Sequence, residues 1–220
     1  MYVVLVEPEY EGNLGLIARV SKNFGAKGLI LVNPKCEIGE EARRRAMHAV
    51  DYLENVKIFK SLADVKRELN FLAATTARRA GPYNVNRAFI TPDRLKRVEN
   101  MGIVFGRESR GLTNEEIGLC DVVVHIPASE EYPVLNVSHA VAIVLYELHK
   151  KRRRVKVARR RLREQIYRFY DEIVRALGYE ENKRKIQVTV FRSVLERSFL
   201  NEREAYGIAG VLRKVLEKIK

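Results

Sequence analysis

Between residues 2 and 126, six short apolar runs return at intervals too long for hairpins, and the intervals are filled with helix-like sequence. The runs are Tyr2–Val6, Gly28–Val32, Val56–Phe59, Phe71–Thr75, Gly102–Phe105 and Val122–Ile126. Amphipathic stretches lie between and after them, at about 13–24, 40–54, 61–69, 92–99, 113–119 and 136–150. Short continuous apolar runs alternating with helices are the mark of strands buried on both faces, joined by helical crossovers. Local punctuation agrees. Gly25 stands where a helix C-terminus wants glycine, Ser61 with Asp64 and Thr113 with Glu116 form capping pairs, and Thr91-Pro92 reads as a cap followed by a first-turn proline. The fold class that follows is α/β, with a largely parallel sheet of about six strands over residues 1–150.

Beyond about Val155 the period becomes purely helical. Leu162, Ile166, Phe169, Tyr170, Ile173 and Leu177 recur at three- and four-residue spacing over 156–177, and Gly178 closes that helix. A second helix is expected over Gln187–Phe199. A third, capped by Asn201 and Glu204, carries Ile208, Val211, Leu212, Val215 and Ile219. We therefore divide the chain into an α/β domain (1–150), a basic linker or helix start (151–163) and a small all-helical extension (164–220).

Charge follows the same division. The chain of 220 residues carries 41 basic and 28 acidic side chains, a formal +13. Residues 151–220 hold 21 of the basic and 9 of the acidic ones, so nearly all the surplus sits in the last third. Ten of the fourteen residues from Lys150 to Arg163 are basic and none is acidic. Arg152, Arg153, Arg154, Arg159, Arg160 and Arg161 are the candidate contacts to a polyanion, nucleic acid first. The competing reading is a solvated helix face in a charge-rich thermophilic protein.

Several classes are excluded or disfavoured. No apolar run approaches the ~18–20 residues of a membrane span, and the first residues reach Glu7 without a basic leader segment. A cytoplasmic protein is the expectation. Two cysteines, Cys36 and Cys120, are too few for a disulfide scaffold, and whether they pair stays open. The four histidines are scattered, so no metal is expected; His125, inside an apolar run, reads as a hydrogen-bonded core residue. The first strand-to-helix turn, residues 7–15, has glycines in the wrong register for a dinucleotide fingerprint and three acids that would repel a pyrophosphate.

Three segments carry polar residues or glycines that a plain core does not need. Gly12 to Arg19 spans the first strand-to-helix junction, where Asn13 reads in part as a helix cap and Arg19 as a side chain that snorkels or serves a site. Phe105 to Thr113 leaves a strand end in a charged loop bracketed by Gly106 and Gly111. Ile126 to Ala140 holds two prolines and then a polar helix start, Asn136-Val137-Ser138-His139. In parallel sheets such segments lie beyond the carboxyl ends of strands, where ligands bind.

Together these segments resemble the three signature motifs of the SPOUT class of RNA methyltransferases, in its SpoU branch. The first stands as Asn13-Leu14-Gly15-Leu16-Ile17-Ala18-Arg19. The second is Phe105-Gly106-Arg107-Glu108 with Gly111-Leu112-Thr113-Asn114-Glu115-Glu116, and the third Leu135-Asn136-Val137-Ser138-His139-Ala140-Val141. Glu7-Pro8, Val32-Asn33-Pro34 and the helical extension point within the branch to enzymes of the tRNA anticodon loop. The resemblance implies a carboxyl part of the α/β domain threaded into a trefoil knot, a homodimer, and ribose 2′-hydroxyl methylation in tRNA, at nucleotide 32. It implies S-adenosylmethionine as cofactor, held by Thr75, Thr76, Ala77, Gly106, Ile126, Pro133, Val134, Leu135 and Asn136. Arg19 would be the catalytic residue, with Asn13 and Glu108 beside it. Arginine is too weak an acid to serve as a base, so charge stabilisation or positioning of the phosphate suits it. One departure stands out: Val134 occupies a position that is commonly serine in the branch. Methylation of ribosomal RNA on the same fold, or a catalytically silent RNA-binding assembly factor, are the alternatives.

Overall fold

In a computed structural model that describes residues 1–77, 89–151 and 153–219, the chain divides into two compact units. Among the described residues, those up to Arg154 form the first unit and those from Val155 onward the second.

The first unit is built on seven strands, all parallel: β1 (Tyr2–Val6), β2 (Leu29–Val32), β3 (Lys57–Phe59), β4 (Phe71–Thr76), β5 (Phe89–Ile90), β6 (Met101–Phe105) and β7 (Val122–His125). Their order in the sheet is β3-β2-β1-β6-β4-β7-β5. The six expected strands are present; β5, only two residues long, is the one that periodicity could not register. Interior strands are buried on both faces, which is why their sequences read as unbroken apolar runs. Val4, Val6, Ile30, Val32, Leu72, Ala74, Val104 and Val123 point to one face. There they meet Leu62, Val65 and Leu69 of or beside α4 (Leu62–Glu68), and Ile117 and Cys120 of or beside α5 (Asn114–Leu119). Alternate residues such as Val3, Leu5, Phe71 and Ile103 are equally buried on the other face. Helix α1 (Glu11–Asn23) packs on α2 (Glu40–Ala46) and on α6 (Val137–His149). Both expected capping boxes, Ser61 with Asp64 and Thr113 with Glu116, are formed, and Gly25 after α1 has φ +64°.

Three helix expectations need correction. The stretch 92–99 is not a helix: only a turn closes at 91–95, where the Arg94 and Leu95 N–H groups bond to the Thr91 carbonyl. Thr91-Pro92 thus caps a turn, since a cap and a proline open either structure. The stretch 40–54 is broken by a 3-10 turn (Met47–Ala49) before α3 (Val50–Glu54), with Met47 at φ +53°. Asn13 does not cap α1. The helix begins at Glu11, its N-cap Tyr10 gives no side-chain bond, and Asn13 lies within the first turn.

The second unit holds α7 (Arg160–Ala176), α8 (Glu181–Ser198) and α9 (Glu202–Ile219). Helix α7 starts at Arg160 rather than near 156, because Lys156–Arg159 precede it without helix and the Ala158 N–H bonds to the Leu200 carbonyl at 2.7 Å. Helix α8 begins six residues earlier than expected; its polar, charged first turns carry no apolar period to announce it. The unit's core is Ala158, Leu162, Ile166, Ala205 and Ala209, flanked by Tyr167, Phe169, Phe191 and Leu195. Beside it Arg163 (2% exposed) forms an ion pair with Glu196 (3%), whose other oxygen accepts from the Tyr167 hydroxyl at 2.8 Å.

Candidate functional site

Strand ends make the floor of the site. Because β4 lies between β6 and β7, the carboxyl ends of these strands are neighbours: Thr75 pairs with Val124, Thr76 with His125, and Ala74 with Val104. Thr75, Thr76, Ala77, Gly106 and Ile126 therefore emerge along one edge, and each is half-buried where the preceding strand residues are buried. No charged side chain stands among the five. The Thr75 hydroxyl is spent inside the sheet, donating to the Val104 carbonyl at 2.9 Å. His125 is buried with Nδ1 3.1 Å from the Thr76 carbonyl and its ring against Phe89, a core residue rather than a ligand.

Beyond the ends of β1, β6 and β7 three segments converge through two amides and a carboxylate. The Asn136 side chain donates to Asn13 Oδ1 (3.2 Å), and Asn13 Nδ2 donates to Glu108 Oε1 (2.8 Å). Glu108 Oε2 accepts the Glu9 N–H at 3.0 Å. Asn136 is also the N-cap of α6, where its Oδ1 takes the Ser138 N–H (2.9 Å) and hydroxyl (2.7 Å). One side chain thus sets the helix start and reaches the first segment. Leu135 is half-buried, while Pro133 and Val134 face solvent, Val134 being 56% exposed.

A second tie, which sequence reasoning missed, holds the loop after β6. Arg107, only 7% exposed, donates from Nε to Glu7 Oε2 (2.6 Å), from Nη1 to the Gly111 carbonyl (3.1 Å), and from both Nη atoms to the Glu116 carboxylate (2.9 and 2.8 Å). The Glu9 carboxylate takes the Ser109 N–H and hydroxyl. The signal in the sequence was acid-rich Glu7-Pro8-Glu9 facing an Arg-Glu-Ser-Arg loop, but which acid meets which base is not legible from composition. The Arg107 guanidinium holds the Glu7 carboxyl below the usual carboxylate range. Burial pushes the Glu116 carboxyl up, and Arg107 together with the Thr113 N–H more than offsets this, leaving it lowered.

Gly15 and Gly106 are demanded by packing. A Cβ on Gly15 would lie 2.2 Å from the Ala42 carbonyl oxygen on α2, and one on Gly106 would lie 2.2 Å from the Gly111 carbonyl carbon. Both glycines belong to the signature motifs, and both are explained by backbone approach.

Arg19 stands apart. It is exposed on α1, and among the described residues nothing bonds to its guanidinium. Six residues along a helix is about 9 Å of rise, so Arg19 is not part of the Asn13–Glu108 cluster within one chain, and Glu108 does not orient it here. A cleft of about 680 Å³ opens beside the cluster, lined by Tyr10, Asn13, Asn136, Arg45 and the acids Glu9, Glu11, Glu37 and Glu41. Cys36 on its wall is a free thiol pushed up by burial and then by the Glu108 and Glu11 charges, so it stays protonated. Cys120 forms no disulfide either and packs in the core. Of the basic run, Arg153, Arg154, Arg159 and Arg161 are exposed, Arg160 is partly so, and Arg152 lies outside the described residues. Arg163, in the same run, is turned inward to Glu196.

The Asn136–Asn13–Glu108 bonds bring the three motif segments together at the carboxyl ends of parallel strands, where ligands of α/β enzymes sit. The chain belongs to the SpoU rRNA Methylase family, whose model matches residues 1–146. It is 39% identical to the tRNA (cytidine-2′-O-)-methyltransferase TrmJ of Methanocaldococcus jannaschii over 96% of this chain and 97% of that one. The enzyme of the same name from Sulfolobus acidocaldarius is 36% identical, covering 99% and 94%. Among solved structures, TrmJ from Z. mobilis superposes with a TM-score of 0.69 at 26% identity, covering 97% of this chain and 98% of that one. Among the described residues no helix is long and apolar enough to cross a membrane.

Proposed function

We propose that this protein transfers a methyl group from S-adenosylmethionine to a ribose 2′-hydroxyl of tRNA, at the cytidine of position 32 in the anticodon loop. The observation that carries the reading is the hydrogen-bonded chain Asn136–Asn13–Glu108, which joins the three motif segments that follow β1, β6 and β7. The likeness to relatives named as tRNA (cytidine-2′-O-)-methyltransferases supports the substrate and the base.

The strand-end row fits an adenosyl group. It is half-open, uncharged and lined largely by backbone, so the Thr75–Ala77, Gly106, Ile126 and Pro133–Asn136 peptide groups supply donors and acceptors for a base edge. The cofactor brings a methyl on a positively charged sulfur, an electrophile that asks for positioning more than for acid–base work. Arg19, unpaired among the described residues, is open to the substrate: it orients the adjoining phosphate and stabilises the negative charge that develops on the 2′ oxygen as that oxygen takes the methyl and its proton passes to solvent water. Asn13 and Glu108 hold the wall against which the ribose sits. With Val134 in place of a serine, no hydroxyl acts from that position. The basic residues Arg152–Arg154 and Arg159–Arg161 hold the RNA. Threading of the carboxyl segment and pairing of two chains belong to this reading.

The test is transfer from labelled S-adenosylmethionine to tRNA and rRNA transcripts, with the modified nucleotide mapped. Label at the ribose of C32 is expected. Label on rRNA alone would overturn the tRNA substrate, and none on either RNA would favour a silent RNA-binding factor.

A further inference from the structure

We infer that Arg107 is the positioning residue of this site: it locks the 106–111 loop in the shape that presents Glu108 to Asn13. The inference rests on the proposed methyl transfer for its kinetic readout, and on geometry for its structural one.

Arg107 touches three pieces of the first unit at once. Its Nε reaches Glu7 at the end of β1, its Nη1 reaches the Gly111 carbonyl in its own loop, and both Nη atoms reach Glu116 in α5. Glu7 meets it from a left-handed backbone, φ +47°, and is steadied from the other side by Asn33 Nδ2 at 2.7 Å. Glu116 is steadied by the Thr113 N–H at 2.8 Å. A planar fork with five donors makes all four of these bonds, two of them to the Glu116 carboxylate; a lysine ammonium, with three donors on one nitrogen, cannot make all four.

What this fixes is the neighbouring residue. Arg107 pairs with Gly111 as an antiparallel bridge, and the loop closes so tightly that Gly106 has no room for a side chain. Glu108 is thereby held where it accepts from both Asn13 and the Glu9 N–H, and Ser109 where its N–H and hydroxyl reach Glu9. Segments 7–9 and 107–109 are knitted residue against residue, with Arg107–Glu7 as the buried stitch. A largely buried ion pair is weak evidence for stability by itself. Its use here is geometric: misplacement by about 1 Å can cost on the order of 10²-fold in rate.

The experiment compares Arg107→Lys, Glu108→Gln and the double variant in the full-length protein. Hydrogen exchange is read first and needs no substrate. In R107K the Glu9 and Ser109 amides are expected to exchange at least tenfold faster while β4 amides are unchanged. In single-turnover methyl transfer, each single variant is expected to lose rate, and the double to lose no more than about twofold beyond the worse single, because both changes break one arrangement. Unchanged exchange at Glu9 and Ser109, or losses that multiply in the double variant, would overturn the inference. Should R107K fail to fold, Glu7→Gln removes one arm of the fork and enters the same cycle. If wild-type protein methylates no RNA, the proposed function fails, and the exchange result still decides the role of Arg107.

Discussion

At the residue scale the two arginines most open to test have opposite surroundings. Arg19 is exposed and unpaired among the described residues, so replacing it leaves nothing buried behind. Arg19→Ala is therefore expected to lower methyl transfer by at least ~10²-fold, the scale of losing one charge-stabilising donor. Cofactor affinity by calorimetry should stay within about twofold; equal loss in both would remove Arg19 from the chemical step. Arg163 is sealed against Glu196 and Tyr167. Arg163→Ala should cost about 3–5 kcal/mol by leaving a buried carboxylate unpaired, whereas Arg163→Met with Glu196→Leu should recover most of that in chemical denaturation. Sequence showed both as basic residues among basic or apolar neighbours. Burial alone separates an exposed arginine from a core ion pair, and burial is a tertiary quantity.

Between elements, the loops after β1 and β6 depend on carboxylates that must stay ionised. Glu7 and Glu116 both have folded-state pKa values below their ordinary 4.5, so they bind protons less readily folded than unfolded. The stability they contribute is complete above about pH 4.5 and is lost as pH falls through the lower folded values. The difference in melting temperature between wild type and Glu116→Gln is expected to be constant above pH 5 and to shrink below 4.5; a difference that grows on acidification would contradict the pairing. The same closeness makes Gly106→Ala costly, by about 1–3 kcal/mol, since the new methyl meets backbone that cannot swing aside. Legibility at this scale was uneven. The capping boxes at Ser61 and Thr113 were readable because a cap is a contact between residues three apart. Helix 92–99 was misread because Thr-Pro opens a turn as readily as a helix, and α8 was read late because its first turns are polar and mostly exposed.

Over the whole molecule, charge and chemistry occupy different stretches of chain. The first 150 residues are nearly neutral and carry the site, while the last third carries the surplus. Replacing Arg153, Arg154, Arg159, Arg160 and Arg161 with serine should weaken tRNA binding. The slope of log affinity against log salt should fall by up to about 0.9 for each phosphate that the variant no longer neutralises. An unchanged slope would make the run a solvated surface only. What the sequence determined by itself was the class of fold and the location of the motifs, because strand burial, helix period and capping are written in near neighbours. Only the tertiary structure decided that Asn13 bonds to Glu108 rather than capping its helix, and that Arg107 ties Glu7 to Glu116. It likewise decided that Arg163 faces inward while its neighbours face out. Asn13 with Glu108 and Arg107 with Glu7 join residues 95 and 100 positions apart, and they meet because β1 lies beside β6, an order that no local pattern encodes.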